Sequence, residues 1–366
     1  MASSTFHKAE VLGLTACAPA NERCIDDEVK LLGGNLAQIE RLKKTIGLHK
    51  RRVVLPGTTA VDLCVTAAEK LLAACQCEPG DVDAVIFVTQ MPDYPQPGNA
   101  SLLHARLGLG TDCAALDVNL GCSGYVYGLW LAHMMIESGG CERVLLLAGD
   151  TVSTLVHEQD RALAPLFGDG GSATLLGLRS PESAKSARPA HFSLHADGRG
   201  QDALKVPAGG ARTPHSPEQA TAEADEHGNT RAPINLHMDG SAVFTFSVTT
   251  VPAGIKALLE QSDTTVEAVD RFVLHQANRY ILSNIAKRLK VDAAKVPMRT
   301  VEHFGNQSSA SIPTALCFEC GPELTDGPVQ RILLSGFGVG LSWGSALLDL
   351  GGLKIADCID YPAAKS

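Results

Sequence analysis

The chain of 366 residues is 45% apolar and 19% charged, the balance of an ordinary folded protein rather than a disordered one. Its length exceeds one average domain and predicts two structural units that share a core. A net charge of −9 argues against nucleic acid as the main partner. The opening MASSTFHKAE has no apolar stretch of a secretory signal, and no run approaches the roughly 20 apolar residues that span a bilayer, so a cytoplasmic chain without a membrane span is expected.

The eleven cysteines are odd in number and scattered through apolar segments such as those of Cys17, Cys64, Cys75, Cys113 and Cys141, unlike a disulfide framework. Cys75/Cys77 and Cys317/Cys320 are isolated pairs. A structural zinc normally needs four ligands, so no metal site is expected.

In chain order, residues 67–89 (AAEKLLAACQCEPGDVDAVIFVT) run from an amphipathic helix through a turn into a strand, and residues 253–275 (AGIKALLEQSDTTVEAVDRFVLH) repeat that phrase. ERVLLLAGD (142–150) is echoed by QRILLSGFG (330–338), and GSATLLGL (171–178) by GSALLDLG (344–351). Apolar β-branched runs alternating with helices predict largely parallel sheets covered by helices, in two pseudo-twofold halves with the site between them. The halves are expected at 1–178 and 234–366. Between them, residues 179–233 shift to Pro, Gly, Ala, Ser and mixed charge and read as a surface excursion, either a tolerated insertion or a lid.

Four segments carry chemistry. In LDVNLGCSGYVYG (116–128), Cys122 sits where a strand hands over to a helix through a glycine-flanked turn. That places its sulfur at a helix N-terminus, where exposed N–H groups and the helix dipole favour a thiolate, while Gly121 and Gly124 permit a tight turn. A buried structural cysteine is the plainer alternative. His275 ends the strand RFVL and opens a helix whose Ala277, Ile281, Ile285 and Leu289 form one apolar stripe. Ligands of α/β proteins sit at the carboxyl ends of strands, where both Cys122 and His275 fall. In HFGNQSSASIP (303–313), Asn306 is either a turn or cap residue or a fixed neutral donor. In SGFGVGLSWGSALL (335–348), Gly338, Val339 and Gly340 suit backbone N–H groups lining an oxyanion site.

Together these segments resemble the thiolase-fold condensing enzymes, most closely the β-ketoacyl-acyl-carrier-protein synthase III family. The resemblance spans nearly the whole chain: GCSG, FGDGGSATLL (167–176), HQAN, FGNQSSASIP and GFGVGLSWGSALL stand in the family's order. It implies a layered α-β-α-β-α fold of two similar halves and a homodimer. It also implies an acyl group loaded from a thioester onto Cys122, followed by decarboxylative condensation with a malonyl-type thioester. His275 and Asn306 would donate to the thioester oxygen, and the N–H of Cys122 with one from 338–340 would hold the other oxyanion. Acyl-coenzyme A or acyl carrier protein would be the partner, with no cofactor. Phe337, Gln96 and Arg279 are the residues expected at the substrate.

The chain also departs from the family's pattern. The adenine-gripping Trp and following Arg of the housekeeping branch fall at Arg41 and Thr45, two basic carrier-docking positions at Thr245 and Tyr280, and an aromatic residue that crosses the dimer at Gln96. These changes point to a specialised relative handling a different or longer acyl chain. Basic residues near the expected entrance are Arg279, Lys287, Arg288 and Lys290, with Lys43, Lys44, Lys50, Arg51 and Arg52 nearer the N-terminus; they would meet an acidic carrier or coenzyme A phosphates, or are solvated helix faces. Two rival readings are transfer of the acyl group to an alcohol or amine, and an inactive partner subunit. Asn306 cannot serve as the base the first would use. The second usually lacks a catalytic residue, and none of the three is missing.

Overall fold

The computed structural model describes residues 2–32, 34, 36–181, 187–226 and 228–362. Two mixed sheets and three helical layers alternate. The first sheet runs, edge to edge, through Ala356–Tyr361, Ala9–Pro19, Gly170–Leu178, Arg143–Asp150, Ala84–Val88 and Ala114–Val118. The second runs through Ala2–Phe6, Ala190–Ala196, Ser342–Leu350, Gln330–Gly338 and Arg271–Leu274.

Side-chain alternation along each strand divides the core into layers. In the first sheet Ala84, Ile86 and Val88 face the middle of the molecule together with Leu146, while Val85 and Phe87 face outward against Leu63 and Leu71 of the helix Ala60–Cys75. In the second sheet Val273 and Leu334 face the middle, and Phe272 and Leu333 pack outward on Ile255 and Ile285. The helices Gly124–Glu137 and Ser311–Asp326 fill the middle layer, contributing Val126, Leu129, Ile312 and Leu316 to one core shared by both sheets. The result is the expected α-β-α-β-α arrangement.

The repeated phrases occupy equivalent places. Ala60–Cys75 leading to Ala84–Val88 corresponds to Gly240–Gln261 leading to Arg271–Leu274. The hairpin of Arg143–Asp150 with Gly170–Leu178 corresponds to that of Gln330–Gly338 with Ser342–Leu350. Cys317 and Cys320 are buried core residues of the helix Ser311–Asp326.

The sheets depart from the largely parallel arrangement expected: among the described residues, five of their nine strand pairings are antiparallel, because hairpins such as those within 143–178 and 330–350 pair neighbours in sequence. Two further expectations differ from the structure. The helix Gly240–Gln261 is long and apolar enough to cross a membrane by length and composition alone. Its Ser, Thr and Gly residues hide this in the sequence, and its Val251, Ile255 and Leu258 are spent on the outer face of the second sheet. The excursion at 179–233 is also less peripheral than its composition suggests. It contains the strand Ala190–Ala196, paired with both Ala2–Phe6 and Ser342–Leu350, so the second sheet begins well before 234. Strand pairing supplies the hydrogen bonds and neighbouring helices supply the burial, so an isolated stretch need not look like core.

Candidate active site

Cys122 lies just before the helix Gly124–Glu137, beyond the end of the strand Ala114–Val118. It is buried, at 6% exposure, with its sulfur 3.8 Å from the hydroxyl of Ser308. The Ser308 hydroxyl and, less strongly, the backbone N–H groups of Val339 and of Cys122 itself favour the thiolate, yet burial outweighs them and pushes the thiol up to about 11. The buried carboxyl of Asp150 adds to the rise. The thiolate expected from the helix N-terminus is therefore not the resting form: taking the sulfur out of water costs more than the local dipoles return.

His275 directly follows the strand Arg271–Leu274, and its N–H continues the parallel pairing with Ser335 O at 2.8 Å. Its Nδ1 lies 2.7 Å from the Ser311 hydroxyl, which also accepts from the Gln276 N–H at 3.3 Å. Burial lowers its affinity for a second proton, to about 3, so the ring is neutral across the physiological range. Phe337 packs edge-on against it, with ring centroids 5.4 Å apart.

Asn306 is held by its backbone on both sides: its N–H donates to Leu166 O at 2.9 Å, and its carbonyl accepts from Gly168 N–H at 3.0 Å. The side-chain Oδ1 accepts from the Ser308 N–H at 3.0 Å, which turns the NH2 group away from that contact and leaves it as the donor end. This pairing explains the FGDGG motif. A Cβ on Gly168 would lie 1.9 Å from Phe304 O, so only glycine allows the Phe167–Asn306 bridge. The adjacent buried Asp169 accepts from the Val54 and Ser153 N–H groups and ties two more loops to the same point.

Cys122, His275 and Asn306 line one pocket of about 190 Å³, walled also by Phe337, Phe167 and Leu204. Phe244 and Tyr280 stack on each other among its lining residues, with centroids 5.3 Å apart. Leu204 belongs to the stretch expected to be a surface excursion, so that stretch walls the pocket. Two larger cavities, of about 370 and 550 Å³, flank the segment 53–58 and contain none of the three residues.

Of the expected oxyanion residues, Val339 has the backbone N–H that favours the Cys122 thiolate, and Gly338 gives the room: a Cβ there would lie 2.7 Å from Cys122 Cβ and 2.9 Å from its sulfur. Gly340 shapes the same turn at φ +137°. Phe337 is in the pocket as expected and Arg279 does not line it, while Gln96, read as crossing the dimer, is likewise not among the residues around its own chain's pocket. Gln96 is exposed on the loop before the helix Asn99–Arg106, and Arg279 pairs with Glu302 at 2.8 Å. The N-terminal basic group is largely committed too. Arg51 is buried in a two-bond pair with Glu28, while Lys43, Lys50 and Arg52 pair with Asp26, Glu22 and Asp360. Opposite charges lie close to these residues only after folding, so a linear run of Lys and Arg overstated the free positive surface.

Reading the sequence missed Ser308, Ser311, Asp150 and Ser342. Asp150 ends the strand Arg143–Asp150 and accepts from the Thr89 hydroxyl at 3.0 Å and from the Gln90 and Ser309 N–H groups at 2.9 and 3.0 Å. Its place at a strand end was a usable signal. The serines had only the small-hydroxyl composition of SSAS to mark them.

The C-terminal model of 3-oxoacyl-[acyl-carrier-protein] synthase III matches residues 259–350, and the model of 3-oxoacyl-[acyl-carrier-protein] synthase III matches residues 116–198. A β-ketoacyl-[acyl-carrier-protein] synthase III of Streptomyces coelicolor is 35% identical over 350 residues, covering 93% of this chain and 97% of that protein. The crystal structure of a 3-oxoacyl-(acyl-carrier protein) synthase from Burkholderia xenovorans LB400 superposes with a TM-score of 0.90 at 37% identity, covering 98% of this chain and 99% of that one. The priming β-ketosynthase of the R1128 polyketide pathway superposes with a TM-score of 0.78 at 28% identity, covering 94% and 97%. With that fold, and with Cys122, His275 and Asn306 gathered in one pocket, the chain belongs to the 3-oxoacyl-acyl-carrier-protein synthase III family of thiolase-fold condensing enzymes.

Proposed function

We propose that this enzyme takes an acyl group from a thioester onto Cys122 and condenses it, with loss of carbon dioxide, with a malonyl-type thioester. The observation that carries the reading is the convergence of a buried thiol, a neutral imidazole and a carboxamide donor end on one pocket. Loading forms a thioester at the sulfur, releases the donor thiol and passes through an oxyanion facing the Val339 and Cys122 N–H groups. In the second half, decarboxylation leaves an enolate whose oxygen is held by Asn306 Nδ2 and His275 Nε2. With Nδ1 occupied by the Ser311 hydroxyl, Nε2 is the ring nitrogen left for the enolate oxygen, and this role calls for the tautomer in which Ser311 donates to Nδ1 and Nε2 carries the ring hydrogen.

The acyl donor belongs on coenzyme A or on an acyl carrier protein, the partner that the relatives' names carry. A homodimer suits the open edge of the strand Ala114–Val118 and the exposed loop bearing Tyr94 and Gln96, since an uncovered strand edge invites pairing. Arg41 and Thr45 at the adenine-gripping positions, with Thr245 and Tyr280 at the carrier-docking positions, support a specialised acyl or polyketide pathway over housekeeping initiation.

The test is the intact mass of the protein after exposure to acyl-coenzyme A and acyl-carrier thioesters of increasing length, with Cys122→Ser as control. A single adduct absent from the control, discharged by a malonyl thioester to a β-ketoacyl product, is the expected result. An adduct handed to alcohols or amines but never condensed would overturn the reading. His275→Ala and Asn306→Ala should still load, and condense about 10²- to 10³-fold more slowly.

A further inference from the structure

We propose that Ser123 and Ser342 are positioning residues, a relay of two hydroxyls that clamps the Val339 carbonyl, and through the Val339 Cα the N–H of the same residue, so that the two N–H groups facing an acyl oxygen keep their places. The inference rests on the reading of Cys122 as the acyl-carrying residue.

Val339 stands between Gly338 and Gly340, at φ +157° and +137°. Glycine on both sides leaves the peptide with unusual conformational freedom, at the point where its N–H must be fixed against the sulfur. The Ser342 hydroxyl donates to Val339 O at 2.8 Å. It also lies 2.6 Å from the Ser123 hydroxyl. A hydroxyl has a single proton, so Ser342, having given its own to Val339, accepts from Ser123. Ser123 is free for this. It occupies the N-cap position of the helix Gly124–Glu137 but makes no side-chain capping bond. Both serines are buried, at 0% and 4% exposure, so water does not readily replace either.

The relay joins the two arms of the oxyanion site. Ser123 is the next residue after Cys122, whose N–H is one arm, and the relay ends on Val339, whose N–H is the other. Backbone contact brings the segments together first: a Cβ on Gly336 would lie 2.9 Å from both Cys122 O and Ser123 Cα. That packing sets the distance between segments, while the hydroxyls hold the Val339–Gly340 peptide by its carbonyl, a constraint that the Val339 Cα passes to the N–H of the preceding peptide.

The test reads the acyl carbonyl directly. Cys122 is loaded from the [1-13C]acyl-coenzyme A of the chain length that forms the adduct in the mass assay, in the wild type and in Ser123→Ala, Ser342→Ala, the double variant and Ser342→Thr, and the 13C shift of the thioester carbonyl is measured. Weaker hydrogen bonding moves it upfield. Both alanine variants should show that movement, with the loading kcat down about ten-fold and KM nearly constant, a part of the loss expected for removing a donor outright. The double variant should go no further than Ser342→Ala, since Ser123 acts through Ser342, and Ser342→Thr should return towards the wild type.

A second reading needs no thioester: the pH profile of Cys122 alkylation by iodoacetamide, followed on the Cys122 peptide by mass. It should move to higher pH in both alanine variants. An unmoved carbonyl shift or an unmoved alkylation profile in folded Ser123→Ala, which removes one oxygen atom, overturns the relay even if Ser342→Ala does not fold. A wild type that takes no acyl group from any thioester counts instead against the condensing-enzyme reading, and the alkylation profile still decides the relay.

Discussion

The Nδ1 of His275 and the hydroxyl of Ser311 lie 2.7 Å apart, joining the end of a strand in the second sheet to the first turn of the middle-layer helix Ser311–Asp326. The hydrogen bond is buried, and it fixes which ring nitrogen can face the pocket. In Ser311→Ala the ring loses the partner that holds its tautomer. Condensation should slow about ten-fold, a fraction of the 10² or more expected for losing the His275 donor itself, while loading of Cys122 stays within a factor of two. Single-turnover assays of the two half-reactions check this; equal slowing of both would mean that Ser311 only supports the fold.

The Cys122 thiol, pushed up to about 11 by burial, is mostly protonated in the resting enzyme. Since the thiolate is the nucleophile, its alkylation should accelerate close to ten-fold per pH unit between pH 7 and pH 9 with no plateau. In Asp150→Asn the profile should shift towards lower pH, because the carboxyl adds to the rise. A plateau near pH 7 in the wild type would contradict the burial argument.

His133 faces the shared core between Phe6 and Phe192, with ring centroids 5.8 and 5.0 Å away, and burial lowers its affinity for a proton to about 4. In the unfolded chain it titrates near 6.5, so between pH 6.5 and 4 the unfolded state binds a proton that the native state does not. Stability is therefore complete above about pH 6.5 and falls as the pH drops, by up to about 1.4 kcal/mol per unit for this residue. His275 contributes with the same sign. Urea unfolding at pH 7, 6 and 5 should give a shallower pH dependence for His133→Phe than for the wild type; identical slopes would place the titration elsewhere.

A side chain at Gly338 meets Cys122 before anything else, its Cβ falling 2.7 Å from that of the cysteine. Gly338→Ala should therefore cut loading by at least about 10², the effect of displacing reacting groups by about 1 Å, with the protein still folded by circular dichroism. Loading within a factor of three of the wild type would show that the turn yields at little cost.

How much of this was legible in the sequence follows from where the information lies. The apolar runs in VDAVIFV and ERVLLLAGD, the helical stripe after HQAN and the repetition of both phrases are local patterns, and they determined two α/β halves with Cys122 and His275 at strand or helix ends. The ordered motifs then carried the resemblance that placed Asn306 with them. Other features came only with folding. Ala190–Ala196 is unremarkable until Ala2–Phe6 and Ser342–Leu350 flank it and satisfy its backbone. Arg51 reads as a surface cation until Glu28 meets it in two hydrogen bonds. The protonation state of Cys122 likewise depended on the tertiary structure. The helix end that lowers a thiol's pKa is written in GCSG, but the burial that outweighs it comes from residues as distant as Phe337 and Gly338, and desolvation is a property of the assembled neighbourhood.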